Sequence, residues 1–226
     1  MNSKERMQII GRGGIPDVPG KMFLFGHSPQ SDVWVVRESD TGFLMPEDAG
    51  NRLVLARVDN PFGLGMRRNA DFRNMIKDDG VAARNFIDEL SEEVEKTIES
   101  TLLAGQADGI AYMIYGAEPQ LCTPMAYGGI CLEADRRLLE RIGKQHFIAL
   151  MVVAGEGAYI DFLSDLPGNL FCWDAASTGV DVHSVRRLRH GALGCQLPEA
   201  EVLVAKEPGE MGPWVGLYKF WEEHGW

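Results

Sequence analysis

Several residues that could do chemistry stand directly after apolar runs of strand length. These residues are Asn60, Phe62, Tyr115, Glu118, Glu156, Asp174, Cys195 and Gln196. If the apolar runs form parallel strands, the residues that follow them share one rim, because parallel strands end at the same edge of a sheet. Three members of this set are carboxylates, and a pocket that holds several carboxylates can raise the pKa of one and create a general acid.

We assign catalytic roles to Asp174, Glu156 and Tyr115, and substrate contacts to the other members of the set. A simpler explanation competes for two of the carboxylates. Asp174 and Glu156 each precede a predicted helix, and a carboxylate at a helix start caps the first turn and is favoured by the helix dipole. The sequence leaves both explanations open.

Two adjacent arginines, Arg67 and Arg68, follow the turn NPFGLGM near the same predicted rim. Guanidinium groups bind carboxylates through paired hydrogen bonds, so this pair is predicted to contact the acidic groups of a substrate. The alternative is a surface pair that bridges to Asp71 or Asp78.

The segment from residue 147 to 197 alternates between two kinds of pattern. FIALMVV, NLFCWDA and GALGCQL are apolar runs bounded by Gly, Pro or Asn, which is typical of short buried strands. GEGAYIDFLSDL and STGVDVHSVRRLRHG lie between them and are predicted to be helices. This alternation indicates an α/β fold built from parallel βα units.

The helix predicted in STGVDVHSVRRLRHG has both of its ends marked. Asp181 is expected to cap the first turn, and Gly191 is expected to end the helix in the left-handed conformation. Val182, Val185 and Leu188 are expected to lie on one face of this helix.

The clearest helix of the sequence runs from Ala82 to Leu103. Apolar residues recur at every fourth position, at Phe86, Leu90, Val94, Ile98 and Leu102, with Ile87 beside them. Gly105 is expected to close this helix. LEADRRLLERIG forms a second amphipathic pattern, with Leu132, Leu138, Leu139 and Ile142 predicted to point inward.

Two blocks of the sequence resemble the uroporphyrinogen decarboxylase family. The first runs from Gly155 through EGAYIDFLSDLPGNLFCWDAASTGVDVHSVRRLRHGALGCQ, and the second is RLVLARVDNPFGLGMRRNADFRNMIKDDG with the later ADGIAYMIYG. SKERMQIIGRGGIPDVP is similar to the family's opening segment. The resemblance covers Arg52 to Gln196 and implies a (β/α)8 barrel of the TIM type, or part of one.

The first 51 residues depart from the family, which has a much longer segment before the strand that matches RLVLARV. The N-terminal units are therefore expected to be shortened. DVWVVRES and FLM are predicted to form a hairpin around Asp40, Thr41 and Gly42, as an antiparallel edge piece. We predict one domain, residues 1–226, with a divergent part (1–51), a barrel core (52–197) and an aromatic tail (198–226).

The resemblance implies a decarboxylase that acts on a carboxylate-bearing small molecule and needs no cofactor. The superfamily also contains zinc methyltransferases that move methyl groups between corrinoid proteins and small thiols, and methyl transfer is the alternative. A noncatalytic paralogue that binds a ligand or a subunit is the third hypothesis. Arg67 stands where the family has a tyrosine, which argues against uroporphyrinogen as the substrate.

A zinc site is not expected. The family's methyltransferases have a His just before the glycine that ends one strand, and Val152 occupies that position here. Catalytic zinc needs three protein ligands, and Cys172, Cys195 and the scattered histidines do not form a ligand motif.

The net charge, the length of the apolar runs and the cysteine spacing limit the kinds of partner and the cellular location that we expect. A net charge of −11 without a cluster of Lys and Arg argues against a nucleic-acid partner. No apolar run approaches membrane-spanning length, and the N-terminus lacks a signal-like stretch, so we expect a cytoplasmic protein that does not enter membranes. The four cysteines form no Cys-x-x-Cys pair and are expected to be reduced.

The C-terminal tail is rich in aromatic residues, namely Trp214, Tyr218, Phe220, Trp221 and Trp226. Such a tail is costly to expose and is expected to pack against the barrel or against a second subunit. Together with a shortened barrel, it predicts a homodimer.

Overall fold

Parallel strands connected by helices dominate the structure. The computed structural model describes residues 1–14, 16–18, 20–22, 31–39, 42–105, 107–196 and 214–217. The strands within these ranges are β1 (Gly20–Met22), β2 (Val33–Val36), β3 (Glu38–Ser39), β4 (Gly42–Phe43), β5 (Leu53–Asp59), β6 (Gly109–Ile114), β7 (Phe147–Val152), β8 (Leu170–Asp174), β9 (Ala192–Gln196) and β10 (Trp214–Leu217).

The helices of the described ranges lie mostly between these strands. They are α1 (Ser3–Gly11), α2 (Pro61–Arg68), α3 (Phe72–Asp78), α4 (Gly80–Leu103), α5 (Pro124–Ala126), α6 (Glu133–Ile142), α7 (Ile160–Leu163), α8 (Ala175–Thr178) and α9 (Val182–Leu188). A π-helical segment, Tyr127–Leu132, leads into α6, and a short 3-10 turn, Gly143–Gln145, follows it.

The strands β2, β5, β6, β7, β8 and β9 form a six-stranded, all-parallel sheet. The α/β class is therefore confirmed. At one edge β10 pairs with β9, and β1 pairs with both β10 and β2, so the strand pairing returns to its starting edge. This arrangement is consistent with a TIM-like barrel.

Alternate residues of each strand face opposite sides of the sheet. Leu55, Met113 and Met151 belong to an inner cluster, which Met7 and Ile10 of α1 complete. The intervening residues face the helices and form a second, outer cluster. Because α1 contacts the amino ends of the strands, the carboxyl ends remain as the side at which a site can form.

Helix α4 confirms the strongest helical pattern of the sequence. Its buried residues are Ala83, Ile87, Leu90, Val94, Ile98, Thr101 and Leu102, while Phe86 lies at the partly buried edge of this face. The Asp79 side chain caps the helix by accepting a hydrogen bond from the Ala82 backbone N–H. Gly105 follows the helix with a φ of 64°, the left-handed conformation that glycine adopts without strain.

Two helix predictions need correction. The helix expected over GEGAYIDFLSDL is reduced to α7, because Gly157 adopts a φ of 77° and breaks the turn before it. Helix α9 is capped by Asp181 as predicted, but Gly191 is not left-handed and Leu188 is exposed.

The early end of α9 has a structural cause. The Arg189 side chain is buried and donates hydrogen bonds of 2.7–2.8 Å to the carbonyl oxygens of Ser164, Leu166 and Gly168. This draws residue 189 out of the helix. The left-handed glycine of this region is Gly179, which follows α8 with a φ of 71°.

The N-terminal part contributes more to the parallel sheet than its length suggested. Both β1 and β2 pair in parallel, whereas the predicted hairpin forms a separate two-stranded sheet in which Glu38 pairs with Phe43. The hairpin is therefore not an edge of the main sheet. Asp40 and Thr41, its expected turn, lie outside the described residues.

The tail supplies one strand to the sheet, β10, within residues 214–217. The strand predicted in EVLVAKE and the aromatic residues Tyr218, Phe220, Trp221 and Trp226 lie outside the described residues. Among the helices described above, none combines the length and apolar character that crossing a membrane requires.

Candidate functional site

The end of β5 places two charged side chains on the inner side of the sheet. Arg57 and Asp59 share the strand face of Leu55, because residues two apart point the same way. Arg57 Nε lies 3.3 Å from Asp59 Oδ1, and the two side chains are only 10% and 5% exposed. The result is a nearly buried ion pair at the carboxyl end of a parallel strand.

Arg67 adds a second guanidinium group to this pair. It lies near the end of α2, the helix that follows β5, and its Nη1 is 2.5 Å from Asp59 Oδ2. The Arg67 side chain is 56% exposed, so it lies between the buried carboxylate and solvent. Two guanidinium groups share one carboxylate, which leaves the cluster locally cationic.

Tyr115 completes this arginine cluster, by which we mean Arg57, Asp59, Arg67 and Tyr115. It follows β6, and its hydroxyl oxygen accepts a 2.9 Å hydrogen bond from Arg57 Nη2. Burial, and after it the negative charge of Asp59, raise the pKa of Tyr115 to about 12. The phenol therefore stays protonated at neutral pH and orients Arg57 as a neutral partner.

Asn60 connects the arginine cluster to the layer behind it. Its side chain is buried and caps α2 by accepting from Gly63 N at 2.9 Å. It also accepts from Tyr115 N and donates to Tyr115 O, at 3.2 and 3.1 Å, which fixes the backbone of Tyr115 beside the end of β5. The same amide nitrogen donates to Asp135 Oδ2 at 3.2 Å.

Asp135 is a buried carboxylate on α6, behind the arginine cluster. It accepts hydrogen bonds from Tyr112 Oη, at 2.7 Å, and from Asn60. Burial raises its pKa to about 7, although these hydrogen bonds and the nearby Tyr127 hydroxyl act in the opposite direction. The Tyr127 hydroxyl is itself buried and forms no hydrogen bond of normal geometry with any described residue.

The three predicted rim carboxylates lie at the expected end of the sheet but do not join the arginine cluster. Asp174 Oδ1 accepts from Ala176 N and Ser177 N, so it caps α8, as the simpler explanation proposed. Glu118 Oε2 accepts from Gly155 N at 2.7 Å and ties together the loops that follow β6 and β7. Glu156 is exposed in a turn.

The two adjacent arginines, predicted to act together, have different partners. Arg67 pairs with Asp59 in the arginine cluster, whereas Arg68 forms a bidentate ion pair with Glu93 on α4. The alternative named Asp71 and Asp78 as partners, but among the described ion pairs neither of them contacts Arg67 or Arg68. Of the two adjacent arginines, Arg67 is the one that lies at the carboxyl end of the sheet.

The other predicted contacts are buried or lie outside the described side chains. Asn60 and Phe62 are completely buried, and Phe62 packs edge-to-face against Phe72 with ring centroids 5.4 Å apart. The backbones of Cys195 and Gln196 pair with Trp173 and Asp174 at the end of β9. A substrate contact from Cys195 or Gln196 stays a prediction.

The described residues do not fit the zinc site that the resemblance offers. No group of three or more His, Cys, Asp or Glu side chains in the described ranges is arranged to hold a metal. Val152, at the position of the family's histidine, is buried in β7.

Arg57, Asp59 and Asp135 are the important residues that the sequence analysis missed. The sequence did indicate the first two, since Arg57 and Asp59 are charged residues two positions apart near the end of an apolar strand and so lie on the same face of it. The signal for Asp135 was its position three residues after Leu132 and three before Leu138, on the apolar face of α6.

Comparisons with known proteins support the fold and leave the reaction open. No protein-family model and no curated protein matches the chain. Among solved structures, the chain is similar to a methyltransferase from Methanosarcina mazei, with a TM-score of 0.58 and 11% sequence identity. The match covers 68% of this chain and 46% of the methyltransferase chain. At this identity the likeness shows the fold alone, and this chain spans less than half of the length of the methyltransferase chain that it matches.

Proposed function

We propose that the chain binds a small carboxylate-bearing molecule at the carboxyl end of its parallel sheet and transfers a methyl group to or from it. The observation that carries the binding proposal is the arginine cluster. Arg57 is held by Asp59 and Tyr115, so its orientation is fixed before a ligand arrives. A preorganised guanidinium group binds a carboxylate with little loss of side-chain freedom.

Arg67 is the side chain that we expect to contact the ligand directly. Its half-exposed guanidinium group keeps donors available beyond the one directed at Asp59. The chain as a whole carries a charge of −11, so an anion would be repelled from most of its surface. A locally cationic cluster at one end of the sheet therefore favours binding there.

Methyl transfer ranks first because the structural neighbour is described as a methyltransferase. Decarboxylation, the first hypothesis of the sequence analysis, has less support, because Asp174 and Glu118 both accept backbone hydrogen bonds and Glu156 stands apart in an exposed turn. The proposed reaction has no zinc step, since the described residues offer no set of zinc ligands. We further propose that the paired strands form a (β/α)8 barrel with shortened N-terminal units.

Binding is tested by thermal unfolding in the presence of acetate, succinate and citrate. We expect at least one of these carboxylates to raise the unfolding temperature of the wild-type protein. The variant Arg67→Gln should bind this carboxylate with roughly tenfold lower affinity. This decrease corresponds to about 1.4 kcal/mol of binding free energy, as expected for the loss of one charged hydrogen bond.

Arg68→Gln is the matched control, because it removes the neighbouring arginine, whose partner is Glu93. It should leave carboxylate binding unchanged. Equal weakening by the two variants, or no stabilisation by any carboxylate, would contradict the proposed site.

The reaction class is tested with 4-methoxybenzoate labelled with ¹³C in its methyl group, and dithiothreitol as acceptor. In methyl transfer the bond from the methyl carbon to oxygen breaks and a bond to sulfur forms, while the thiol proton passes to the phenolate oxygen. The ¹³C signal then moves to a thioether. Release of carbon dioxide without this movement would favour decarboxylation.

A further inference from the structure

A groove on the surface is lined by residues of α3 and α4 and by the segment 119–130, which follows β6. Its volume is about 750 Å³, within the range of small-molecule sites in proteins. Of the described residues that line it, none belongs to the arginine cluster and none is an aspartate or a glutamate. The groove is therefore a candidate site separate from the one proposed above.

The floor of this groove is apolar. Ile76, Cys122 and Ile130 are buried and belong to the outer cluster that packs against the sheet. Val81 and Met125 also line the groove and are 73% and 87% exposed, so apolar surface extends from the core to solvent. Contiguous apolar surface bordered by polar residues is typical of a binding groove. A ligand with an apolar chain would remove this surface from water, which is favourable.

Two cationic side chains, Lys77 and Arg84, line the same groove and are exposed. Neither takes part in an ion pair within the described part of the chain. Asp88, one turn after Arg84, pairs with Arg137 instead. The whole chain has 33 acidic and 22 basic residues. A groove with two cations and no carboxylate in its described lining therefore attracts an anion locally.

The wall formed by the segment after β6 is held in place by hydrogen bonds. The Tyr159 hydroxyl donates a 2.8 Å hydrogen bond to the carbonyl oxygen of Cys122, and Arg73 donates to the carbonyl oxygen of Gln120. Small-molecule sites are usually formed before the ligand arrives, which limits the entropy lost on binding. The fixed wall meets this requirement.

Gly129 keeps the space beside Arg84 open. A Cβ atom added at Gly129 would have Arg84 Nη2 as its nearest neighbour beyond the local backbone, at 4.0 Å. The guanidinium group therefore lies next to a position without a side chain. A small anionic group can approach the guanidinium donors from there.

We propose that this groove binds a straight-chain fatty acid. The hydrocarbon chain lies over the apolar floor, and the carboxylate pairs with Lys77 and Arg84. Among the other described lining residues, the polar side chains are Gln120, Thr123 and the weakly polar Cys122, and Thr123 already caps α5. A sugar or a nucleotide has polar groups along its whole length that need partners when buried, whereas a fatty acid needs partners only at one end.

The test uses decanoate and the folded wild-type protein with ¹³C-labelled methionine methyl groups. The signal of Met125 is assigned by its loss in Met125→Leu. Decanoate, added below the concentration at which it forms micelles, should shift this signal in a saturable way. Because Met125 lines the groove, the readout separates binding here from carboxylate binding at the arginine cluster. Arg67→Gln should therefore leave the decanoate affinity measured at Met125 unchanged.

The apolar and charged parts of the ligand are tested separately. Octanoate has the same carboxylate and two fewer methylene groups. It should bind roughly 4- to 15-fold more weakly, as expected for the loss of two partly or fully buried methylene groups. 1-Decanol keeps the chain without the charge and should bind at least about fivefold more weakly than decanoate.

Substitutions of the two cations have a matched control. Lys77→Gln and Arg84→Gln should each lower the affinity for decanoate by roughly three- to tenfold, because each removes a charged partner of the carboxylate. Lys96→Gln removes an exposed lysine that is also on α4 but lies outside the groove. It should leave the affinity unchanged.

A substitution that fills the groove has a control at the adjacent residue. Gly129→Leu places a side chain in the groove and should lower the affinity for decanoate by at least about tenfold. Gly128→Leu alters the same π-helical segment outside the groove, where an added Cβ would meet nothing within 4 Å, and should bind normally. Neither glycine has a positive φ, so both variants are expected to fold, which circular dichroism checks.

Three results would each overturn the proposal. They are the absence of a saturable shift of the Met125 signal, equal affinities for decanoate and 1-decanol, and equal affinities in Gly129→Leu and Gly128→Leu. If decanoate does not bind and Gly129→Leu lowers the mass measured by light scattering, the groove is instead a contact with a second copy of the chain.

Discussion

The hydroxyl group of Tyr112 donates a 2.7 Å hydrogen bond to the Asp135 carboxylate, and both side chains are almost completely buried. Tyr112 belongs to β6 and Asp135 to α6, so the bond joins a central strand to the helix that covers it. Through Asn60 the same carboxylate is connected to the backbone of Tyr115. The arginine cluster therefore rests on a buried polar network.

Asp135 should make the protein less stable as the pH rises from about 4 to about 7. Its pKa is about 7 in the folded protein, against 3.8 for an ordinary aspartate, so in this window the folded state holds a proton that the unfolded state has lost. The contribution is fully present below about pH 4 and is lost as the pH passes through 7. Its size is at most about 4 kcal/mol.

Asp135→Asn provides the comparison, because the amide has a similar shape and does not titrate. Urea unfolding of both proteins between pH 4 and pH 8 gives their stability difference at each pH, which cancels the effect of other carboxylates. We expect Asp135→Asn to gain stability relative to the wild type as the pH rises. A constant difference across this range would show that Asp135 is not protonated in the folded protein at neutral pH.

Asn60→Ala should destabilise the protein by about 3 kcal/mol or more. The substitution removes hydrogen bonds to Gly63, Tyr115 and Asp135 and leaves their buried polar groups without this partner. Asn74→Ala is the control, because Asn74 is exposed and bonds only to Asp71 among the described residues. Its effect should stay within about 0.5 kcal/mol in urea unfolding. Similar losses from both variants would contradict the role assigned to Asn60.

Patterns along the chain predicted the helix that buries one face and the strands that are buried on both faces. Helix α4 and strands β5 to β9 were predictable, because the apolar spacing of each agrees with its tertiary surroundings. The end of α9 was not predictable in this way. It depends on Arg189, whose side chain binds carbonyl groups some twenty residues earlier in the chain.

The candidate site was predictable in its location but only partly in its members. Strand ends indicated the side of the sheet on which the arginine cluster lies, and the predicted set included Tyr115 and Arg67. They did not reveal which groups pair, because the bond between Tyr115 and Arg57 joins residues 58 positions apart. Local sequence also cannot distinguish an aspartate that caps a helix, such as Asp174, from one that binds a substrate.

Tyr115→Phe should weaken carboxylate binding while leaving the fold intact. The variant keeps the aromatic ring but removes the oxygen that accepts a hydrogen bond from Arg57. Arg57 then loses one of the contacts that orient it, and we expect affinity for the most stabilising carboxylate among acetate, succinate and citrate to fall by roughly 5- to 10-fold. Tyr127→Phe is the control, since its buried hydroxyl lies in the layer behind the cluster. An unchanged carboxylate affinity in Tyr115→Phe would show that the Tyr115 hydroxyl does not contribute to carboxylate binding.

The homodimer stays a prediction. The aromatic residues of the tail would form an apolar patch if they were exposed, and burial of apolar surface between two chains stabilises a dimer by about 25 cal/mol per Å². Light scattering at micromolar concentration should then give twice the chain mass of 25.0 kDa. A mass near 25 kDa for the intact chain would contradict this prediction.

The last strand of the sheet allows a sharper test of the tail. Trp214–Leu217 forms β10, which pairs with β9 on one side and with β1 on the other. Deletion of residues 214–226 removes both sets of backbone hydrogen bonds and leaves two unpaired strand edges. Deletion of residues 218–226 removes most of the aromatic residues but keeps the strand.

If β10 is the structural part of the tail, the two deletions should differ in thermal unfolding. The longer deletion should lower stability by about 3 kcal/mol or more, equivalent to a fall of roughly 10 °C in the unfolding temperature, and should promote aggregation through the unpaired edges of β1 and β9. The shorter deletion should unfold close to the wild-type temperature. An equal fall in both would mean that residues 218–226, rather than the pairing of β10, stabilise the fold.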